Sequence, residues 1–424
     1  MVTGSGAIKS NSLVEQVVSN TIDSEIRTKS FENDYRFDQV FNNVLSKPKL
    51  LYVVEAMGGG VFTYIVELVN HLVDNFDIYI AYGVRKQTPE NYKEYFDSRV
   101  NMIFVKNFTR AISFNKDMQA FFEIKKIADQ IKPDIVHLHS SKAGVIGRFL
   151  FSNSGIPVFY TPHGYSFLMQ DRSKIKCYIY RKIEQICAKC NCTTVSCSYG
   201  ENQETLKLTR RAVDIDNGID IEKFNSLISQ VLKDRKQETN DGRMRVFTLG
   251  RISYQKNPEL FNEIAKRMPQ IKFIWIGDGP LANELTAPNI EITGWKSREE
   301  ALSISMSCDI FLLTSLWEGL PISLLEAMYM KKPVVVSDVI GNRDVITNHE
   351  NGYVCDEIEE FVEAINDTYN HRRYAMNAYI DVISHYNINN MTQKYTSLYK
   401  EALVNGEKVF FKKVAKYNQL VKCS

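Results

Sequence analysis

Glu318 and Glu326 stand eight residues apart in Thr314-Ser-Leu-Trp-Glu-Gly-Leu-Pro-Ile-Ser-Leu-Leu-Glu-Ala327. The run Asp309-Ile-Phe-Leu-Leu313 before them reads as a buried strand. Pro321 suits the first turn of a helix, where a missing N–H costs little. One acid therefore falls in a strand-to-helix loop and the other about a turn inside the helix. Both should face the rim above the carboxyl ends of the strands, where open α/β sheets bind ligands. A carboxylate accepts paired hydrogen bonds from vicinal hydroxyls. Two of them flanking a positive helix start suit a ligand with hydroxyls at both ends and phosphate between, the layout of a nucleotide sugar.

Cations fall in a second strand-end loop. Gly250-Arg-Ile-Ser-Tyr-Gln-Lys-Asn257 follows the apolar run Arg245-Val-Phe-Thr-Leu249. Arg251 can bind phosphate as a planar fork and Lys256 as a point charge. Beside a departing diphosphate they would stabilise the charge that develops as the sugar bond breaks. An Arg/Lys pair in a loop is ordinarily just solvated; the nearby acid pair is what raises this one above that reading. Gly58-Gly-Gly60 opens the first helix and lets backbone N–H groups approach a phosphate, although a tight turn accounts for it equally well.

Other motifs are weaker. His137, His139 and His163 fall near strand ends. A buried structural histidine is the ordinary outcome for the first two, whereas the turn Thr161-Pro-His-Gly-Tyr165 should expose the ring of His163. Gly277-Asp-Gly-Pro-Leu-Ala282 has the G-x-G-x-x-A spacing, but it follows the second strand of its series and no acid ends a strand about 20 residues on, which disfavours a dinucleotide. Asp214-Ile-Asp216 resembles a metal-binding pair; the Asn217-Gly218 turn signal after it favours a domain-edge turn. Cys187, Cys190, Cys192 and Cys197 cluster without a second metal-type pair elsewhere, so buried free thiols are the simpler reading.

Alternating elements must position these residues. From Lys47 short β-branched-rich runs alternate with amphipathic stretches, the pattern of a parallel sheet covered on both faces. The pattern breaks at 225–243, a polar stretch read as a linker, and a second series starts at Arg245. The expected fold is α/β, with two Rossmann-like doubly wound domains facing across a cleft. Its expected parts are an extension over 1–45, a first domain over 46–225, a second over 226–390, and C-terminal helices over 391–424 that pack back on the first domain.

Composition sets further bounds. The 52 basic and 50 acidic residues leave a net charge of +2, which gives no global attraction for nucleic acid. No apolar run reaches the roughly 18 residues of a membrane span, and the first 30 residues lack an apolar signal core, so the expected location is the cytoplasm. Two stretches, 172–182 and 408–422, mix cations with aromatics and suggest contact with an anionic membrane surface.

As an ordered set, Asn217-Gly-Ile-Asp220, Gly250-Arg251 with Lys256-Asn257, Gly277-Asp-Gly-Pro280 and the Glu318/Glu326 pair resemble the family 4 glycosyltransferases, retaining enzymes of the GT-B fold, over roughly residues 48–400. The resemblance implies that Arg251 and Lys256 hold the donor diphosphate, Glu318 the sugar hydroxyls and Glu326 the ribose. It places Gly319 and Leu320 backbone on the donor, His163 beside the transferred sugar, and Gly59 and Gly60 at phosphate or acceptor. Gly250, Gly277, Gly279 and Trp295 complete the donor side. It implies no catalytic metal or other cofactor. Asp344 stands where the family usually has glutamate, which weakens that contact. The segments His137-Leu-His-Ser-Ser-Lys-Ala-Gly-Val-Ile-Gly-Arg148 and Tyr160-Thr-Pro-His-Gly-Tyr-Ser-Phe167 look like enzymes of bacterial capsule, O-antigen and cell-wall polysaccharide assembly, rhamnosyltransferases among them. On that segment His139, Lys142 and Arg148 are the acceptor-side candidates.

The resulting expectation is a cytoplasmic enzyme, peripheral on the inner face of the plasma membrane. It would move a hexose from a nucleotide diphosphate sugar to a lipid-linked oligosaccharide. A soluble acceptor, or a scaffold that binds nucleotide sugar without turnover, is the alternative.

Overall fold

The computed structural model describes residues 47–421 except 86, 110–112, 171–172 and 235–241; the side chains of 56, 234 and 405–421 are also outside the description. The expected extension over 1–45, Arg172, and the aromatic-basic side chains of 408–422 therefore lie outside the described residues.

Apolar strands build two parallel sheets. The first holds β1 (Lys49–Met57), β2 (Asp77–Val84), β3 (Asn101–Phe104), β4 (Ile135–His139), β5 (Val158–Thr161), β6 (Thr193–Ser196) and β7 (Ala212–Asp214). Their order is β3-β2-β1-β4-β5-β6-β7. The second holds β8 (Arg245–Leu249), β9 (Lys272–Ile276), β10 (Ile290–Ile292), β11 (Ile310–Leu313), β12 (Val334–Ser337) and β13 (Tyr353–Cys355), in the order β10-β9-β8-β11-β12-β13. The helices of the first half are α1 (Gly59–Leu72), α2 (Phe114–Ile131), α3 (Ser141–Phe151), α4 (Lys174–Cys187) and α5 (Tyr199–Leu206). Those that follow are α6 (Ile221–Asp234), α7 (Pro258–Arg267), α8 (Arg298–Ser307), α9 (Ile322–Tyr329), α10 (Ile358–Asn366), α11 (Thr368–Ser384) and α12 (Ile388–Val421).

Both sheets are covered on both faces, which is why their strands read as unbroken apolar runs. In β1, Leu50, Tyr52 and Val54 face α1, while Leu51 and Val53 join the core under α2 and α3. In β8, Phe247 packs with α6, α9 and α11, and Val246 with α7 and α10. The fold is the expected pair of Rossmann-like sheets. In each, the strand order reverses beside the first strand of the series, at β1/β4 and at β8/β11. A crevice opens at the carboxyl ends of such a pair.

Two features differ from the pattern read in the chain. The stretch from 225 was read as a linker because it is polar, yet Ile221–Asp234 is a helix. Ile221, Phe224, Leu227, Ile228 and Val231 recur at helical spacing and seal one side of the second core. The crossing between domains falls earlier, at 217–220. There Ile219 N–H donates to Tyr386 O at 3.0 Å and Ile388 N–H to Ile219 O at 2.9 Å. The C-terminal helix α12 enters the first domain's core through Met391, Tyr395 and Tyr399, and the Tyr395 and Tyr64 hydroxyls share a 2.6 Å hydrogen bond.

Candidate active site

The loops after β8 and β11 meet at the second sheet's switch point. Leu316 N–H donates to Gln255 O at 2.8 Å, and the Thr314 hydroxyl donates to Lys256 O at 2.8 Å. This bracing brings Lys256 Nζ to 2.6 Å from Glu318 Oε1, with both side chains largely buried. Gln255 Nε2 lies 3.4 Å from the other Glu318 oxygen. Arg251, half-buried in the same loop, makes no hydrogen bond or ion pair among the described residues. Glu326 sits on α9, and Arg298 at the start of α8 forks onto both of its oxygens, Nη1 to Oε2 at 3.1 Å and Nη2 to Oε1. The Glu326 carboxylate is thus held by a cation that stays 42% exposed. A planar fork of this kind can still leave carboxylate lone pairs for hydroxyls.

The facing wall belongs to the first domain. A Cβ placed on Gly319 would lie 3.4 Å from Gly164 N and 3.6 Å from His163 C, so the Glu318 loop runs against the Pro162-His163-Gly164 turn. His163 has φ +56°, costly for a residue with a Cβ. Glu201 on α5 holds the turn, accepting from Gly164 N–H at 2.6 Å and Cys197 N–H at 2.8 Å. Burial raises its carboxyl to about 7, against the lowering effect of those two donors. The turn was expected to expose the His163 ring. Instead its Nε2 lies 3.1 Å from His139 Nδ1, its Nδ1 lies 3.5 Å from Cys197 Sγ, and Tyr64 packs edge-on at 4.6 Å. The ring is half-buried, held beside Tyr64 of α1 and Cys197 just past β6, contacts that no local turn rule could show. Burial lowers His163 to about 3, and His137 and His139 well below their ordinary value, so all three rings are neutral near pH 7.

The remaining expected residues divide. A Cβ on Gly59 or Gly60 would meet nothing within 4 Å, which leaves the bare N-terminus of α1 open to a ligand. Gly277 and Gly279 are required by packing: a Cβ on them would fall 2.2 Å from Gly250 O and 2.0 Å from Ile252 O. No α-helix starts after that loop, only the short 3₁₀ turn Ala282–Glu284, so the dinucleotide reading fails on geometry. Gly250 O accepts from Trp275 Nε1 at 2.9 Å, while Trp295, beside the Gly277 to Gly294 bridge, is 62% exposed. Leu320 O accepts from Asn217 Nδ2 at 2.7 Å, so the Asn-Gly turn braces the Glu318 loop across the domains. Asp344 accepts from Gly200 N–H at 2.9 Å and Gly341 N–H at 3.0 Å, a bond between domains rather than a free ligand group.

On the acceptor side, His139 is fully buried and Lys142 bonds Asp117 at 2.7 Å at the start of α3. Arg148 was offered as an acceptor contact, but it lies two turns down α3. There it is 2% exposed, bonded to Glu184 at 2.7 Å and stacked over Tyr160 at 4.2 Å. The Glu184 side chain is 6% exposed and also accepts from the Tyr160 hydroxyl at 3.1 Å, so the structure seats the pair in the core. Asp214 accepts from Asn202 at 2.8 Å, and Asp216 lies 3.8 Å from Lys394. Arg298, Gln255 and Glu201 were missed. Ser297 and Glu300, and likewise Ser198 and Glu201, carry capping-box spacing that marks a helix start. Only tertiary contact shows that Arg298 and Glu201 turn inward.

Solved structures share this two-domain GT-B architecture. Sucrose-phosphate synthase from Thermosynechococcus elongatus superposes with a TM-score of 0.72 over 85% of this chain and 100% of that one, at 15% identity. Anabaena HepE, solved in complex with UDP and glucose, gives 0.66 over 84% and 100%, at 16% identity. Likeness at these identities defines the fold class. Residues 58–223 match the family described as Glycosyltransferase Family 4, and residues 232–380 match Glycosyl transferases group 1. The Escherichia coli UDP-Gal:alpha-D-GlcNAc-diphosphoundecaprenol alpha-1,3-galactosyltransferase is 33% identical over 343 residues, 74% of this chain and 87% of that protein. A Klebsiella pneumoniae protein described as an uncharacterized 41.2 kDa protein in cps region is 26% identical over 318 residues, 70% and 83% of the two chains. The chain belongs to the group 1/family 4 glycosyltransferases.

Two outcomes follow from the buried polar groups. Arg148→Met should lower the unfolding free energy by about 3–5 kcal/mol, because Glu184 is left buried without its cation. Urea unfolding measures this; an unchanged midpoint would return Arg148 to the list of ligand contacts. The pH response has a definite sign. As pH falls from 7 to 5 the unfolded chain protonates its histidines near 6.5, while His137, His139 and His163 stay neutral in the native state, so stability is lost on acidification. Glu201, raised to about 7, and His71, raised by Asp220, contribute in the opposite sense over the same window. Three groups against two leave a net loss on the order of 2 kcal/mol. Urea titrations at several pH values check it, and stability that is flat or rising toward pH 5 would contradict it.

Proposed function

We propose that this glycosyltransferase moves a hexose from a UDP-sugar to a hydroxyl of a sugar carried on a lipid diphosphate, with retained anomeric configuration, in bacterial surface polysaccharide assembly. The observation that carries the chemistry is the Lys256–Glu318 pair, with Arg251 unpaired among the described residues of the same loop and Gly319 set against the His163 turn. Lys256 spends one of its three donors on Glu318 and keeps the others for phosphate. Arg251 supplies the second cation. As the bond from the sugar's anomeric carbon to the phosphate oxygen breaks, negative charge grows on the diphosphate, and both cations bind it more tightly than in the ground state. Glu318 orients sugar hydroxyls at the same point. Burial keeps His163 neutral and both its ring nitrogens are engaged, so the acceptor's proton is assigned to the departing phosphate oxygen. The His163 turn forms the wall that places the sugar.

Galactose is the first donor sugar to test, and a diphosphate-linked N-acetylglucosamine the first acceptor, on the strength of the Escherichia coli relative's name. These replace rhamnose as the leading candidate. No helix among the described residues is long and apolar enough to cross a membrane. Reaching a lipid-linked acceptor would then require peripheral attachment at the cytoplasmic face.

Incubation with a panel of UDP-sugars and a short-chain lipid diphosphate N-acetylglucosamine tests the reading. Transfer to free sugars and none to the lipid diphosphate would reject it in favour of a soluble acceptor. Arg251→Ala should lower kcat by about 100-fold or more with a smaller change in donor KM. That variant strands no partner, so unfolding should be unchanged. Lys256→Ala should lose kcat similarly but also lose stability, because Glu318 is left without its cation. Near-normal kcat in both would remove the pair from the mechanism. Metals have no role in this proposal, because the cations and helix starts already meet the diphosphate charge. Full activity should survive EDTA; activity abolished and restored only by Mg²⁺ or Mn²⁺ would return attention to Asp214 and Asp216.

A further inference from the structure

Helix α4 carries two apolar stripes on opposite sides. Cys177, Tyr180, Glu184 and Cys187 form the one that packs on the domain. The other is Ile175, Tyr178, Ile179, Ile183 and Ile186, spaced for one helical face. These five are 37–73% exposed, with Ile175 at 73% and Tyr178 at 62%. Among the described residues none covers this face enough to bring any of the five below 37% exposure. A solvated helix has no physical reason to align four isoleucines toward water.

The charges around this stripe are of one sign. Lys174, Lys176 and Lys189 are exposed and form no ion pair among the described residues, and Lys182 lies over the Tyr178 ring at 5.4 Å. The helix's one acid, Glu184, is buried against Arg148 and Tyr160. The outward face therefore presents isoleucines and lysines with no carboxylate of its own.

The surface extends beyond one helix. Helix α3 lies between α4 and α2 on the same side of the first sheet. On α2, Phe114, Met118 and Phe122 recur every fourth residue and are exposed, Phe114 at 79%. The α2 acids are engaged: Asp117 with Lys142, Glu123 with Asn107, and Asp129 with Lys125. The first residue of α4 follows shortly after Gln170, whose amide donates to Leu316 O on the donor loop at 3.1 Å. The exposed stripe thus begins beside the cleft.

We propose that the outer face of α4, extended by α2, docks this protein on an anionic lipid bilayer. The isoleucines and phenylalanines would enter the interface and the lysines would meet the headgroups. A leaflet held there puts the mouth of the cleft at the membrane surface, within reach of an acceptor whose diphosphate lies at headgroup level. Its purpose rests on the lipid-linked acceptor proposed above; its physics rests on the helix face alone.

Co-sedimentation of the full chain with phosphatidylglycerol/phosphatidylcholine vesicles, and with phosphatidylcholine alone, tests the surface. Binding should favour the anionic vesicles and weaken at high salt. The double variants Ile179→Ser/Ile183→Ser and Lys174→Gln/Lys176→Gln, both on exposed positions, should each lower vesicle partition about tenfold or more. Phe114→Ser/Phe122→Ser checks α2 separately. Thermal unfolding should be unchanged, and so should transfer to a short-chain, water-dissolved acceptor, while transfer to a vesicle-embedded acceptor falls. Wild-type chain left in the supernatant with both vesicles, or α4 variants that partition as wild type does, would overturn the proposal. A change of mass by light scattering with vesicle binding intact would assign the face to a second copy of the chain and overturn it as well. Failure to use either acceptor rejects the functional reading but leaves the vesicle result to decide docking.

Discussion

Parallel strands can be joined only by crossovers, so every strand of a sheet ends on the same edge. That constraint organises this molecule twice. Each sheet delivers its loops to one rim, and each reverses direction beside its first strand, so two loops part there and leave a crevice. Gly58 to Gly60, the His163 turn, the Arg251 to Lys256 loop and the Glu318 loop all emerge at such rims. With the rims face to face, residues some 150 positions apart in the chain come to within a few ångströms, as Gly319 does to Gly164.

The charges at this rim already pair with one another. Lys256 neutralises Glu318 and Arg298 neutralises Glu326, which spares both acids the cost of burial without an opposite charge. A ligand with hydroxyls and phosphates must therefore join existing pairs rather than meet bare charges. Arg251 is the exception: among the described residues no carboxylate pairs with its guanidinium, which is why the proposed mechanism gives it the developing charge. Opposite it, Glu201 holds His163 in a left-handed backbone conformation from beneath the wall. The same low-dielectric setting raises the Glu201 carboxyl and lowers the histidines.

Contacts between the domains are polar and specific. Asn217 to Leu320, Asp344 to Gly200 and Gln170 to Leu316 are single hydrogen bonds across the cleft. Tyrosines of α12 tie the far end of the chain into the first core.

The sequence by itself determined the two doubly wound sheets, because β-branched runs and amphipathic stretches report burial locally. It also placed Glu318, Lys256 and Arg251 on strand-end loops, since a loop's position after a strand is a fact of chain order. Composition misled at 225–234: polar residues mask a helix when only one narrow face is apolar, as Leu227, Ile228 and Val231 show. Tertiary structure alone decided which charges are free. Nothing in the order of residues distinguishes Arg251, half-buried at the rim, from Arg148, closed in the core, because pairing and burial depend on residues far away in the chain. The same holds for His163, read as an exposed turn and found half-buried against Tyr64 and Cys197, and for the α4 isoleucines, whose exposure is visible only once the core has taken the other side of the helix.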